Sequence, residues 1–312
     1  MPKILTTEPY QPKHSSADNG HLPQFAIACL ALSWLPWAAL KALNLNVDDG
    51  VAALVFAFAA SGPSLAALVM WMRYRDARIP THIGAPWVWP VAALGLGAVP
   101  PVVAALCMNA AAIPHHAAST IAGVGGPLGA LAYTLISGPL SEEFGWRGYV
   151  QPRLRRRLGR IATTAVIGIG WGLWHLPLFF LTGTGQHDMG LSSVKGVLFF
   201  VSLFPLSYTF LFVSERLRGG VWAAVLIHAA WNLTDALVPP YGNGGAYLQT
   251  GLMCAVAVCV ALFWRRRPGV SPFVSVLVTA SYLSTSKDTF CNGVVTPSTR
   301  GRINPTNVRI TP

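Results

Sequence analysis

Two adjacent glutamates, an arginine, two histidines and an asparagine interrupt apolar sequence within about a third of this chain. Glu142, Glu143 and Arg147 follow the run PLGALAYTLISGPL, His175 sits in WGLWHLPLFF, and His228 and Asn232 belong to HAAWN. Taken singly, each is accounted for by an interhelical hydrogen bond or by a helix end facing headgroup water. Gathered in one place, ionisable groups inside apolar segments mark a functional site. On a helix, His228 and Asn232 are i and i+4 and project from one face, so both can act on one substrate atom. Glu143 and Arg147 have the same spacing in the acid-first order that favours an ion pair, while Glu142 points about 100° away around the helix. That leaves Glu142 free for chemistry. A carboxylate desolvated in a cavity is a stronger base than one in water and can take a proton from a water molecule that a histidine positions. A second imidazole and a carboxamide would donate to the oxyanion that forms when a carbonyl is attacked. The constellation suits hydrolysis of an amide bond.

The elements that must position these groups are transmembrane helices. Of the 312 residues, 53% are hydrophobic and 11% charged, with a mean hydropathy of +0.49, far from an ordinary soluble domain. Apolar windows fall at Phe25 to Leu43, Val51 to Met72, Trp87 to Leu106, Pro127 to Leu140, Ile161 to Leu181, Val194 to Val213, Gly220 to Leu237 and Ala246 to Trp264. The expected fold is therefore all-α, a polytopic transmembrane helical bundle of about eight spans. The net charge of +11 does not point to nucleic acid, because the arginines cluster between alternate windows. Arg73, Arg75 and Arg78, then Arg153, Arg155, Arg156, Arg157 and Arg160, then Arg216 and Arg218, then Arg265 to Arg267 follow windows two, four, six and eight. By the positive-inside bias this places both termini in the cytoplasm. With a rise of about 1.5 Å per residue, His175, His228, Asn232 and Glu142 converge below the cytoplasmic surface of a core about 30 Å thick.

Three regions are expected: a polar cytoplasmic segment 1–24, a membrane domain 25–266 with its catalytic core at 127–237, and a flexible cytoplasmic tail 267–312 rich in Ser, Thr, Val and Pro. The polar leader reads as preceding a retained first helix, not a cleaved signal. The five cysteines, Cys29, Cys107, Cys254, Cys259 and Cys291, form no C-x-x-C pattern and read as packing residues. No repeat of 20 to 50 residues is present. Pro139 and Pro177 lie beside Glu142 and His175, where bent helices would open a cavity. His115, His116 and His187 fall in expected outer loops as solvated imidazoles, and Asp235 reads as structural.

SEEFGWRGYVQPRL, WGLWHLPLFF and HAAWN resemble the three motifs of the CPBP intramembrane proteases, relatives of the CAAX prenyl-protein endopeptidases. Glu142, Glu143 and Arg147 match E-E-x-x-x-R, Trp171 and His175 match F-x-x-x-H with tryptophan for phenylalanine, and His228 and Asn232 match H-x-x-x-N. The tryptophan bears on local packing. The resemblance implies a membrane endopeptidase of the bacterial plasma membrane in which Glu142 activates water with His175, His228 and Asn232 stabilise the oxyanion, and Glu143 and Arg147 support. No cofactor is favoured, since Asn232 beside His228 suits an oxyanion hole better than a metal shell. The alternative is zinc held by Glu142, His175 and His228. The expected partners are the lipid bilayer and a peptide or protein substrate, lipid-modified or membrane-embedded. A non-enzymatic role in bacteriocin self-immunity, or as a membrane partner, is the competing reading; a proton-coupled transporter fits less well, because the chain shows no inverted repeat.

Overall fold

The structure is a computed structural model that describes residues 21–74 and 87–265. Most of the expected segment 1–24, the basic residues Arg75, Arg78, Arg266 and Arg267, and the expected tail with Cys291 lie outside the described residues.

Every regular element among the described residues is helical. Helix α1, Leu22–Ala42, begins with a proline in its first turn, where the missing N–H costs nothing. Helices α2, Gly50–Ala60, and α3, Gly62–Arg73, meet at a 51° bend. Pro63 in the first turn of α3 cannot donate back to α2, which breaks the ladder there. Helix α4, Val88–Asn109, runs through the 3₁₀ turn Ala110–Ala112 into α5, Ile113–Gly123. Helix α6, Pro127–Ile136, is interrupted at Ser137 and Gly138 before α7, Pro139–Glu143. A π-helical segment, Phe144–Val150, and α8, Gln151–Arg155, follow. Helix α9, Arg160–His175, ends in the 3₁₀ turn Leu176–Phe180, and α10 is the short Gly185–Met189. Helix α11, Val194–Leu211, runs into a second π segment, Phe212–Arg216; α12, Gly220–Leu237, and α13, Asn243–Arg265, complete the bundle.

Large apolar side chains divide between an interior and an outer surface. Trp37, Trp174, Tyr149, Phe25, Phe210 and Ile227 are buried, whereas Leu128, Val51 and Ile27 are 81%, 75% and 70% exposed. An outer surface so rich in leucine, valine and isoleucine is solvated by acyl chains, not by water. Helix α12 packs along α4, α11 lies between α9 and α13, and α1 packs on α2 and α3.

All eight apolar windows are helical, but not all as intact spans. Five helical stretches are long and apolar enough to cross a membrane, and the bent pair α2–α3 makes a sixth. The two windows that fall short are those bearing the polar residues: α6–α7 is cut in two at Gly138, and α12 carries His228, Asn232 and Asp235 within 18 residues. Other expectations need correcting. His115 and His116 lie on α5 and His187 on α10, not in loops, because prolines at the start of helices read in sequence as breaks. Of the described cysteines only Cys29 is buried; Cys107, Cys254 and Cys259 are exposed on the outer surface.

Candidate active site

The break between α6 and α7 is the centre of the site. Ser141 Oγ donates to the carbonyl of Ile136 (2.5 Å) and accepts from Ser61 Oγ (3.2 Å), while Ser64 Oγ donates to the carbonyl of Leu140 (2.8 Å). Backbone groups freed by the interruption thus find partners on the α2–α3 bend, as buried polar groups must. Gly145 permits the next contact: a Cβ there would lie 2.5 Å from the backbone carbonyl of Pro63, so the π segment rests on α3 backbone to backbone.

Held in this way, the two glutamates face different partners. Glu142 is 6% exposed, and its Oε2 accepts a hydrogen bond from the indole N–H of Trp171 on α9 at 2.5 Å. Glu143 is fully buried; its Oε1 accepts from Arg147 Nη1 at 3.1 Å and from His228 Nδ1 on α12 at 2.7 Å. Arg147 lies between two rings, its guanidinium carbon 4.3 Å from the centroid of Trp171 and 4.4 Å from that of Phe210, and it donates to Ser207 Oγ at 3.2 Å. The expected Glu143–Arg147 pair is present, and Glu143 does more than pair: it also orients His228.

The histidines are fixed by what their Nδ1 atoms touch. His175, the last residue of α9, has Nδ1 2.8 Å from the carbonyl oxygen of Trp171. A carbonyl only accepts, so Nδ1 carries the hydrogen, and in the neutral ring Nε2 keeps its lone pair. The ring packs edge-on to Trp174 and Phe199. His228 donates Nδ1–H to a carboxylate, so its Nε2 is a donor only when the ring is doubly protonated. In that form Glu142 and Glu143 are balanced by Arg147 and His228, an arrangement suited to a buried cluster.

Asn232 lies one turn beyond His228, and both reach the break. A Cβ placed on Gly138 would lie 3.0 Å from His228 Nε2 and 3.0 Å from Asn232 Nδ2. The two nitrogens therefore converge on a single point that glycine leaves open, within hydrogen-bonding range of any oxygen seated there. The structure thus brings Glu142, Glu143, Arg147, His228 and Asn232 around one break, with Trp171 in contact with Glu142, Arg147, His175 and His228. Asp235 stands apart and accepts from Gln249 Nε2 at 2.9 Å.

Sequence reasoning missed three contributors. Trp171 is read there as a packing variant, yet its N–H gives it a partner that phenylalanine could not have. Gly138 follows a serine in an apolar run and looks like an ordinary helix weakness. Ser207 lies in α11 with no neighbouring polar residue to draw attention to it.

Comparison with known proteins places these residues in context. Residues 124–234 match the family described as type II CAAX prenyl endopeptidase Rce1-like, a segment that contains Glu142, Glu143, Arg147, Trp171, His175, His228 and Asn232. A CAAX prenyl protease 2 from Methanococcus maripaludis is 28% identical over 132 residues, covering 42% of this chain and 48% of that protein. The chain thus spans about half the length of the curated relative it matches.

Proposed function

From a segment, residues 124–234, that belongs to the Rce1-like CAAX prenyl endopeptidases, we propose that this chain is an intramembrane endopeptidase that hydrolyses a peptide bond with water activated by Glu142. The observation that carries this reading is the convergence of His228 Nε2 and Asn232 Nδ2 on the open point beside Gly138, four residues before Glu142.

In the proposed reaction the peptide carbonyl oxygen occupies that point. Glu142 takes a proton from a water molecule whose other hydrogen is held by the lone pair on His175 Nε2, and the resulting hydroxide attacks the carbonyl carbon. Negative charge then develops on the carbonyl oxygen, where His228 Nε2–H and Asn232 Nδ2–H donate to it. Glu142 returns its proton to the amide nitrogen, the C–N bond breaks, and a carboxylic acid and an amine leave. Trp171 N–H holds the Glu142 carboxylate in place, and Glu143 keeps His228 oriented and charge-balanced.

Metal-free chemistry remains the reading we favour over zinc bound by Glu142, His175 and His228. Among the described residues no group of three His, Cys, Asp or Glu side chains is arranged to hold an ion, and Glu142 Oε2 and His228 Nδ1 already have protein partners. The substrate we propose is a peptide carrying a lipid-modified cysteine near its scissile bond, in keeping with the name of the archived relative and with a site set among apolar helices. The chain would sit in the plasma membrane with both termini and its arginine-rich ends in the cytoplasm.

Glu142→Gln keeps the shape of the side chain and removes the base. Hydrolysis of a farnesylated reporter peptide by the purified protein should fall at least about 10²-fold. Elemental analysis of the same preparation should find no stoichiometric metal, and chelators should leave the rate unchanged. Full activity in Glu142→Gln would refute the proposed base, and biological function persisting in that variant would support the self-immunity role instead.

A further inference from the structure

Away from the site, a cavity of about 830 Å³ opens between α9, α11 and α13. Its walls are apolar, with Phe204, Tyr208, Ala257 and Ala261 among them, and Arg155, Arg160 and Arg265 also line it. It does not share a wall with the hydrolytic residues. Tyr208 lines the groove and Phe210 packs against Arg147 and His228, and two residues along a helix point about 200° apart.

The groove has the dimensions and charge of a lipid site. On α13 its lining runs from Cys254 to Arg265, about 16 Å at the helical rise, which matches one leaflet of a hydrocarbon core about 30 Å thick. The arginines gather where a headgroup would lie. Arg155 is held by Glu215 through two contacts of 2.9 and 3.0 Å, which offsets one of the three charges. Arg160 stacks on Trp264 at 4.0 Å, and Arg265 is exposed at the end of α13. Gly159 also gives no side-chain cap to the start of α9, so backbone donors there face the same region. Uncharged lipid would leave this positive end without a counter-charge.

We propose that the groove binds one anionic glycerophospholipid, its phosphate at Arg160 and Arg265 and one acyl chain lying between α9 and α13 over α11. The occupant is a resident lipid, distinct from the peptide substrate, and its binding does not depend on hydrolysis.

The test is retention of lipid by the full-length protein exchanged into vesicles of phosphatidylglycerol or phosphatidylcholine, re-extracted in detergent, and weighed by native mass spectrometry. Wild type should keep one phosphatidylglycerol per chain and no phosphatidylcholine. Retention should drop at least tenfold in Arg160→Gln with Arg265→Gln, which removes the headgroup partners, and in Ala257→Trp, which fills the groove without touching charge. Both variants should unfold at the wild-type temperature in lipid-free detergent; if loss of the Trp264 stack prevents Arg160→Gln from folding, Arg265→Gln and Ala257→Trp decide the matter. Equal retention of phosphatidylcholine, unchanged retention in Ala257→Trp, or displacement of the lipid by a farnesylated peptide would each overturn the proposal, the last by assigning the groove to substrate.

Discussion

A tryptophan where related motifs carry phenylalanine gives this site an additional hydrogen-bond donor. Trp171 N–H reaches Glu142 Oε2 at 2.5 Å, and a hydrogen bond to a charged acceptor is worth about 1.5–3 kcal/mol. Trp171→Phe keeps the ring over Arg147 and deletes only that bond. Turnover of a reporter peptide should then fall roughly 10- to 100-fold, with KM little changed, because the bond orients the base and does not bind substrate. A change confined to KM would place the indole in substrate binding instead. Glu143 belongs to a different class of residue. It is the shared acceptor for Arg147 and His228, so Glu143→Gln leaves two buried cations facing one neutral amide. Stability should drop by about 3–5 kcal/mol, visible as a lower unfolding temperature in detergent, and activity should fall with it as His228 loses its anchor. Both i,i+4 pairs were legible in the spacing, because neighbours on one helix are set by helical geometry alone. The indole–carboxylate bond and the His228–Glu143 bond were not, because each joins residues 29 and 85 positions apart and depends on how helices pack.

At the level of elements, the decisive feature is an interruption. Gly138, with φ of +159° and ψ of −68°, separates α6 from α7 and leaves open the point on which His228 and Asn232 converge. Gly138→Ala would put a methyl group within 3.0 Å of both nitrogens, in the place we assign to the carbonyl oxygen. Hydrolysis should be lost while thermal stability changes by only about 1–3 kcal/mol, a separation measured by assaying activity and unfolding on the same sample. Activity within twofold of wild type would show that no reacting atom occupies that point. Hydropathy revealed where helices occur, since apolar windows report burial in lipid or core whatever their internal geometry. It could not reveal the break or the π segment after Glu143, because a glycine within an apolar run is compatible with both a continuous and an interrupted helix. Pro114 shows the opposite failure: it looked like the edge of a loop at His115 and His116, and it starts α5 instead.

For the molecule as a whole, the arginine distribution makes a prediction about sidedness that helix lengths alone cannot. In a cysteine-free background, Ser119→Cys on α5 and Arg157→Cys after α8 should react with a membrane-impermeant thiol reagent from opposite faces of sealed vesicles, Arg157→Cys from the cytoplasmic one. Labelling of both from one face would overturn the topology. The same geometry has a mechanical side. From Val88 to Gly123 the chain is one run of 36 residues, about 54 Å long at the helical rise, against hydrocarbon about 30 Å thick. Its far end must stand clear of the oily layer, and there α5 leans on α12 and α6. Helix α12 carries His228 and Asn232, so α5 is a lever with its handle in water: an antibody fragment gripping it could slow or lock the cutting machinery without ever entering the membrane.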